Sequence, residues 1–97
     1  MYKVYSTNTF KKDIIKAKKS GLNINELNSV IKSIANNEIL DTKYKDNALK
    51  GNWIGYRECH IRPDWILVYR IVNEKLLLVL QRTGTHSELL RSNKCCS

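Results

Sequence analysis

The chain has few of the residues that break, staple or cofactor-load a fold. One proline and four glycines in 97 residues leave no room for a low-complexity linker. Three cysteines, Cys59, Cys95 and Cys96, do not make a disulfide framework, and none stands in C-x-x-C spacing. Cys59 falls in an apolar run and reads as a small buried hydrophobe, and the other two read as thiols of a reducing compartment. The only histidines are His60 and His86, and neither has a second ligand at a metal-binding spacing. No metal site and no cofactor are therefore expected. Uninterrupted apolar runs stop at five residues, as in Leu76 to Leu80, whereas a membrane span needs about 20. Met1 to Ser6 lacks the apolar core of a signal peptide. The expectation is a cytoplasmic protein with no membrane partner. Residues 1–91 should form one domain, followed by a polar tail over 92–97.

Acid is also scarce: nine Asp and Glu stand against 17 Lys and Arg, for a net charge of +8. Residues 1–50 carry ten lysines and five acids, and residues 51–97 seven bases and four acids, so the excess runs along the whole chain. The second half favours arginine, whose planar fork suits phosphate. A soluble surface of high pI is one reading. Affinity for a polyanion or an acidic partner is the sharper one.

The periodicity predicts an α+β domain. Tyr2 to Ser6 alternates as a strand. Ser6 or Thr7 is placed to cap a helix carrying Phe10, Ile14 and Ala17 at helical spacing, with Gly21 to end it. A second helix starts at Asn23, with Glu26 in a capping-box position and Leu22 and Leu27 at the staple positions. Leu27, Val30, Ile31 and Ile34 form one apolar stripe, so one face of this helix docks on a sheet. Residues 39–52 read as a loop. Strands follow at Trp53–Ile61, Trp65–Val72 and Lys75–Arg82, the last two joined by an Asn73-Glu74 turn, and a short helical turn starts at His86. The expected order is β-α-α-β-β-β with a short C-terminal helix: an antiparallel sheet with a helical hairpin packed on one face. Strand parity puts Tyr56, Glu58, His60 and Arg62 on the uncovered face.

Between the two histidines runs an almost wholly apolar stretch, Ile66 to Leu80, whose hairpin can bring its distant ends together. RNA cleavage without a metal needs a base for the 2′-hydroxyl, an acid for the leaving 5′-oxygen and a cation for the phosphoryl oxygens. His60, Asp64, His86 and Arg82 supply that set. Trp65, Tyr56 and Tyr69 offer faces on which a base can stack. Each has a plainer reading. A histidine in a small domain is often only solvated or hydrogen-bonded, Asp64 can stabilise the turn after Pro63, Trp65 can be core, and Arg82 can pair with Glu58. Lys50 and Arg57 can bind phosphate or be solvated charge. The lysines from Lys11 to Lys19 can dock on a polyanion, contact an acidic partner, or be a solvated face.

Two segments add a resemblance. Leu49-Lys50-Gly51-Asn52-Trp53 through His60-Ile61-Arg62-Pro63-Asp64-Trp65 to Tyr69, and Arg82-Thr83-Gly84-Thr85-His86-Ser87-Glu88-Leu89, closely resemble the YafQ branch of the RelE/ParE toxin superfamily. Leu-Lys-Gly, His-x-x-Pro-Asp and Arg-x-Gly-(Ser/Thr)-His are specific in combination. The resemblance implies a RelE-like fold and a bacterial type II toxin that cuts translated mRNA in the A site of the 70S ribosome. It also implies a cognate antitoxin that neutralises the toxin, with a DNA-binding domain that brings the pair to operator DNA. Carried over by position, the family's catalytic residues fall on His60, Asp64, Arg82 and His86, and its tryptophan on Trp65. His86 then acts as acid, His60 or Asp64 as the base or its orienter, and Arg82 on the phosphate. Substrate contacts are expected from Trp65, Asn47, Lys50, Arg57, Tyr56 and Leu90.

Two positions depart from the pattern. Asn47 stands where the best-known member has a further histidine, and it can hydrogen-bond a phosphate but not relay a proton. Leu90 stands where an aromatic is expected. The superfamily also holds gyrase-directed inhibitors, which generally lack this histidine set. A homologue that only binds an antitoxin or DNA is the other alternative.

Overall fold

A computed structural model describes residues 1–85 and Leu89. Its elements follow the chain as β1 (Lys3–Ser6), α1 (Asn8–Lys19), α2 (Ile24–Ala35), β2 (Asn47–Ala48), β3 (Arg57–Arg62), β4 (Trp65–Val72) and β5 (Leu77–Gly84). Short 3-10 turns lie at Thr42–Tyr44, Gly51–Trp53 and Asn73–Lys75.

Both helices begin and end where local chemistry dictates. The Thr7 hydroxyl accepts from the Phe10 N–H at 3.0 Å and the Asn23 amide oxygen from the Glu26 N–H at 3.3 Å, which satisfies donors that a first helical turn leaves unpaired. At the far end of α1, Gly21 takes φ +80°. The N–H of Leu22 then reaches the Ala17 carbonyl and that of Gly21 the Lys18 carbonyl, both at 3.1 Å. This is the paired closure a left-handed residue allows. Asn37 does the same for α2 at φ 59°, with Glu38 N–H on the Ser33 carbonyl at 2.9 Å.

The sheet order is β1-β5-β4-β3-β2. β2–β3, β3–β4 and β4–β5 are antiparallel, but β1 runs parallel to β5, Lys3 opposite Leu77 and Ser6 opposite Leu80. The α+β order matches the expectation, and the sheet is mixed rather than antiparallel throughout. The α1–α2 hairpin carries the chain back so that the first strand lies beside the last. The expected loop over 39–52 contains β2 and two 3-10 turns, and the first central strand starts at Arg57 rather than Trp53. The two-residue hairpin turn is instead a 3-10 turn closed by Leu76 in the left-handed region at φ 50°. The short helix expected from His86 falls outside the described residues except for Leu89, whose N–H bonds to the Thr85 carbonyl at 3.1 Å.

The main core lies between the helices and the sheet. Phe10 and Ala17 of α1 and Leu27, Val30 and Ile34 of α2 meet Cys59, Ile61, Trp65, Leu67, Tyr69, Leu78 and Leu80. The opposite face is not bare. Ile66 and Val68 are covered by Leu89, with Leu49, Trp53 and Tyr56 packed around them. No helix among the described residues is long and apolar enough to cross a membrane.

Cys59 is fully buried. Burial, then the nearby Asp46 and Glu58 carboxylates, pushes its thiol up to about 12, because each disfavours the thiolate. With Cys95 and Cys96 replaced by serine, alkylation at pH 8 should leave Cys59 unmodified in the folded protein and label it in urea, as read by mass. Rapid labelling without denaturant would contradict the burial. Leu27→Ala removes a fully buried contact of α2 and should cost about 2–5 kcal/mol in urea unfolding.

Candidate active site

Of the expected site residues, His60, Asp64, Trp65 and Arg82 lie toward one end of the sheet, where β3 turns into β4 and where β5 ends, while Lys50, Tyr56 and Arg57 lie at or before the opposite end of β3. Two rows of paired residues cross the sheet. Asn47, Glu58, Val68 and Arg82 form one, and His60, Ile66 and Gly84 the other. With strands about 4.8 Å apart, His60 and Gly84 stand about 10 Å apart across β4.

Asp64, Trp65 and Arg82 line one cavity of about 180 Å³, together with Asp13 and Lys16 of α1 and with Gly84 and Thr85. A bulge in β5 and the short reach of β1 decide what enters it. The register of β4 and β5 shifts between Val68 and Tyr69, which pair with Arg82 and Leu80, so Gln81 is the extra residue and Arg82 falls opposite Val68. β1 ends opposite Leu80, which leaves the edge of β5 open beyond that point. Thr7 and Asp13 take up this edge. Thr7 N–H donates to the Leu80 carbonyl and its hydroxyl to the Gln81 carbonyl, at 3.2 and 3.0 Å. The Asp13 carboxylate accepts from Thr83 N–H at 3.2 Å and from both Nε and Nη2 of Arg82 at 3.0 Å. Arg82 is thus oriented by a two-point fork to α1. Asp13 is a partner for it that the sequence reading, which considered Glu58, did not offer.

Trp65 is 2% exposed. Its indole N–H donates to the Thr83 hydroxyl at 2.8 Å, and that hydroxyl donates to the Ile66 carbonyl at 2.8 Å. It forms a wall of the cavity and belongs to the core. The stacking face expected of it is turned inward because a large apolar ring at a helix-facing position buries itself. Tyr69 is equally buried, its hydroxyl donating to Asp46 at 2.7 Å. Burial, followed by that bond, holds the phenol above its usual range. Tyr56 remains on the outer face, its ring 5.4 Å from that of Trp53 in edge contact, with the Arg70 guanidinium 5.6 Å away.

His60 lines a separate cleft of about 340 Å³ with Lys43, Tyr44, Lys45, Arg62 and Glu26. A register shift between His60 and Arg62 breaks the parity expected for β3. Arg62 leaves the His60 face and pairs with Glu26 of α2, Nη2 to Oε1 at 2.9 Å. Arg57 is also engaged, its Nε and Nη2 donating to the two oxygens of Asp46 at 3.3 and 3.2 Å. That bond to Asp46 is the first cause holding its pKa above the ordinary arginine value. On the other side of β3, the Asn47 amide donates to Glu58 at 3.0 Å. Lys50 is exposed just before the 3-10 turn at Gly51–Trp53. His86 and Leu90 lie outside the described residues. Among those described, no three His, Cys, Asp or Glu are grouped to hold a metal ion.

Asp13 was the residue missed, yet a signal existed. It lies three residues after Phe10 and four before Ala17, on the apolar stripe of a lysine-rich helix. An acid there has to find a partly buried cation. Lys43 and Lys45 also enter the picture only with the fold.

A small α+β domain with a basic cleft and an arginine-bearing cavity at one end of a five-stranded sheet is the build of a class of bacterial toxins. Similar solved structures include YafQ of Escherichia coli BL21(DE3), 36% identical, with a TM-score of 0.85, covering 92% of this chain and 98% of that one. The metal-bound toxin of Helicobacter pylori is 39% identical with a TM-score of 0.87, covering 92% and 99%. The toxin of the E. coli DinJ–YafQ toxin–antitoxin complex is 36% identical with a TM-score of 0.81, covering 91% and 96%. By sequence, the mRNA interferase toxin YafQ of E. coli K12 is 41% identical over 81 residues, 82% of this chain and 86% of that protein. The family model described as bacterial toxin of type II toxin–antitoxin system, YafQ, matches residues 2–91. The chain belongs to the YafQ family of type II toxins.

Asp13→Ala should remove the acceptor of both the Thr83 N–H and the Arg82 fork. With Arg82 one-third exposed and the ion pair partly screened, a loss of about 1–3 kcal/mol is expected in urea unfolding. An unchanged midpoint would show that Asp13 does not hold the β5 edge.

Proposed function

We propose that the chain is an endoribonuclease that cuts mRNA on the translating ribosome and is held inactive by a cognate antitoxin. The observation that carries this reading is the cavity in which Asp64, Arg82 and Lys16 meet beside Thr85, the residue that precedes His86 in the chain. Curated relatives named mRNA interferase toxins support the same reading.

The chemistry is metal-free. His60 or Asp64, on either side of the Arg62-Pro63 corner, takes the proton of the 2′-hydroxyl, whose oxygen attacks the adjacent phosphorus. The P–O5′ bond breaks, and His86 donates a proton to the leaving oxygen. The products are a 2′,3′-cyclic phosphate and a 5′-hydroxyl end. Arg82, held in place by Asp13, meets the charge that grows on the phosphoryl oxygens. Tyr56 offers an aromatic surface for a base, and Asn47, Lys50 and Arg57 contact the strand. The antitoxin is acidic where it binds, to complement the net charge of +8, and its DNA-binding part brings the complex to operator DNA.

His86→Ala should lower cleavage about 100-fold or more, the usual share of a general acid, with the unfolding midpoint unchanged. Induced expression without the antitoxin, followed by mapping of mRNA ends, reads this directly. A variant that cuts and arrests growth like the parent would sink the mechanism.

A further inference from the structure

The cleft beside His60 has a charge pattern that the chemistry above does not use. Three cations, Lys43, Lys45 and Arg62, face it against one acid, Glu26. Of its apolar lining, Ile61 is buried, Tyr44 is half-buried and Pro63 is exposed, so the cleft offers no large apolar anchor site of the kind a protein partner needs beside its three cations.

The lysines are held rather than merely exposed. The Thr42–Tyr44 turn is capped by Asp41, whose carboxylate accepts from the Lys43 N–H at 3.0 Å. Lys45 closes the turn in the left-handed region, at φ 48° and ψ 48°, a conformation rare for a long side chain and one that persists only where its surroundings enforce it. The next residue, Asp46, is tied to Arg57 and to the Tyr69 hydroxyl. Asn47 is tied to Glu58 on the other face of β3. The loop is therefore clamped on both sides of the sheet immediately after Lys45. Lys43 is steered as well, its ammonium lying 5.1 Å from the centre of the Tyr44 ring. Arg62 has one Nη engaged by Glu26 while its side chain stays 56% exposed.

We propose that Lys43, Lys45 and Arg62 form a subsite for a backbone phosphate of the RNA strand being cut, next to the one that undergoes reaction. The inference rests on the endoribonuclease reading and deepens it. Phosphate is the ligand that suits several cations carried on a held backbone around an open cleft, and His60 on its wall joins this subsite to the reacting end of the sheet.

The test measures binding of a labelled single-stranded RNA to the His86→Ala protein between 50 and 200 mM salt. Each phosphate contact to a single strand contributes about 0.7 to the slope of log K against log salt. Replacing Lys43 by Gln and Lys45 by Asn, which tolerates the left-handed backbone, should make the slope shallower by about 1.4. Lys32→Gln with Lys75→Gln removes the same charge from α2 and from the β4–β5 turn, and should leave the slope unchanged. The proposal is overturned if the Lys43/Lys45 pair leaves the slope unchanged, or if both pairs lower it equally. It is also overturned if the Lys43/Lys45 pair weakens binding only to vacant ribosomes or only to an acidic peptide, which would make the cleft a docking surface. Loss of the endoribonuclease reading would show instead as no cut mRNA ends on expression of the parent protein, a result independent of the salt slope.

Discussion

Five consecutive residues of β4, Trp65 to Tyr69, are buried, so the central strand is covered on both faces. A sheet of this kind has to find two layers of cover, and the described residues hold two full helices, α1 and α2. Both helices go to one face. The other is closed by Leu49, Trp53 and Tyr56 from the long connection and by Leu89 after β5. The middle of the sheet is thereby used up. Among the described residues, polar side chains of β3 and β5 meet solvent mainly toward the strand ends, with Arg62 beside the Pro63-Asp64 corner and Arg57 at the start of β3. The position of His60, Asp64 and Arg82 near one end of the sheet is consistent with this demand for cover.

Much of the fold was legible because its determinants are local. Thr7, Asn23 and Gly21 act within a few residues of themselves, and the stripe of Leu27, Val30 and Ile34 needs only helical periodicity. The parallel pairing of β1 with β5 was not legible, since a four-residue strand carries no mark of the direction or identity of its neighbour. The candidate site was legible as residue types and hidden as geometry. Strand parity assigns faces correctly until a bulge, and there is one bulge after His60 and another at Gln81. The first sends Arg62 to α2. The second sets Arg82 opposite Val68, where Asp13 can hold it. His86 and Leu90 lie outside the described residues, so their sequence-based roles remain proposals.

The scarce acids are placed with economy. Asp13, Glu26 and Asp46 each join a helix or loop to an arginine of the sheet: Arg82, Arg62 and Arg57. The arginine-rich second half is thus not an open phosphate-binding surface, as its composition alone suggests, since three of its forks are at least partly taken by carboxylates. On the function proposed above, an RNA strand would meet pre-oriented guanidinium groups at Arg57, Arg62 and Arg82, together with a majority of lysines. Orientation costs some charge, and it removes the disorder that a long cationic side chain otherwise has to lose on binding.

The first strand pairs with a segment more than seventy residues later in the chain. Contacts so far apart form late, and during synthesis they cannot form until β5 has left the ribosome. The same strand completes the main core through Leu78 and Leu80 and carries Arg82. A nascent chain therefore has neither a finished core nor a finished cavity until β5 itself has been made and released, and no growing chain that stops short of that strand is competent.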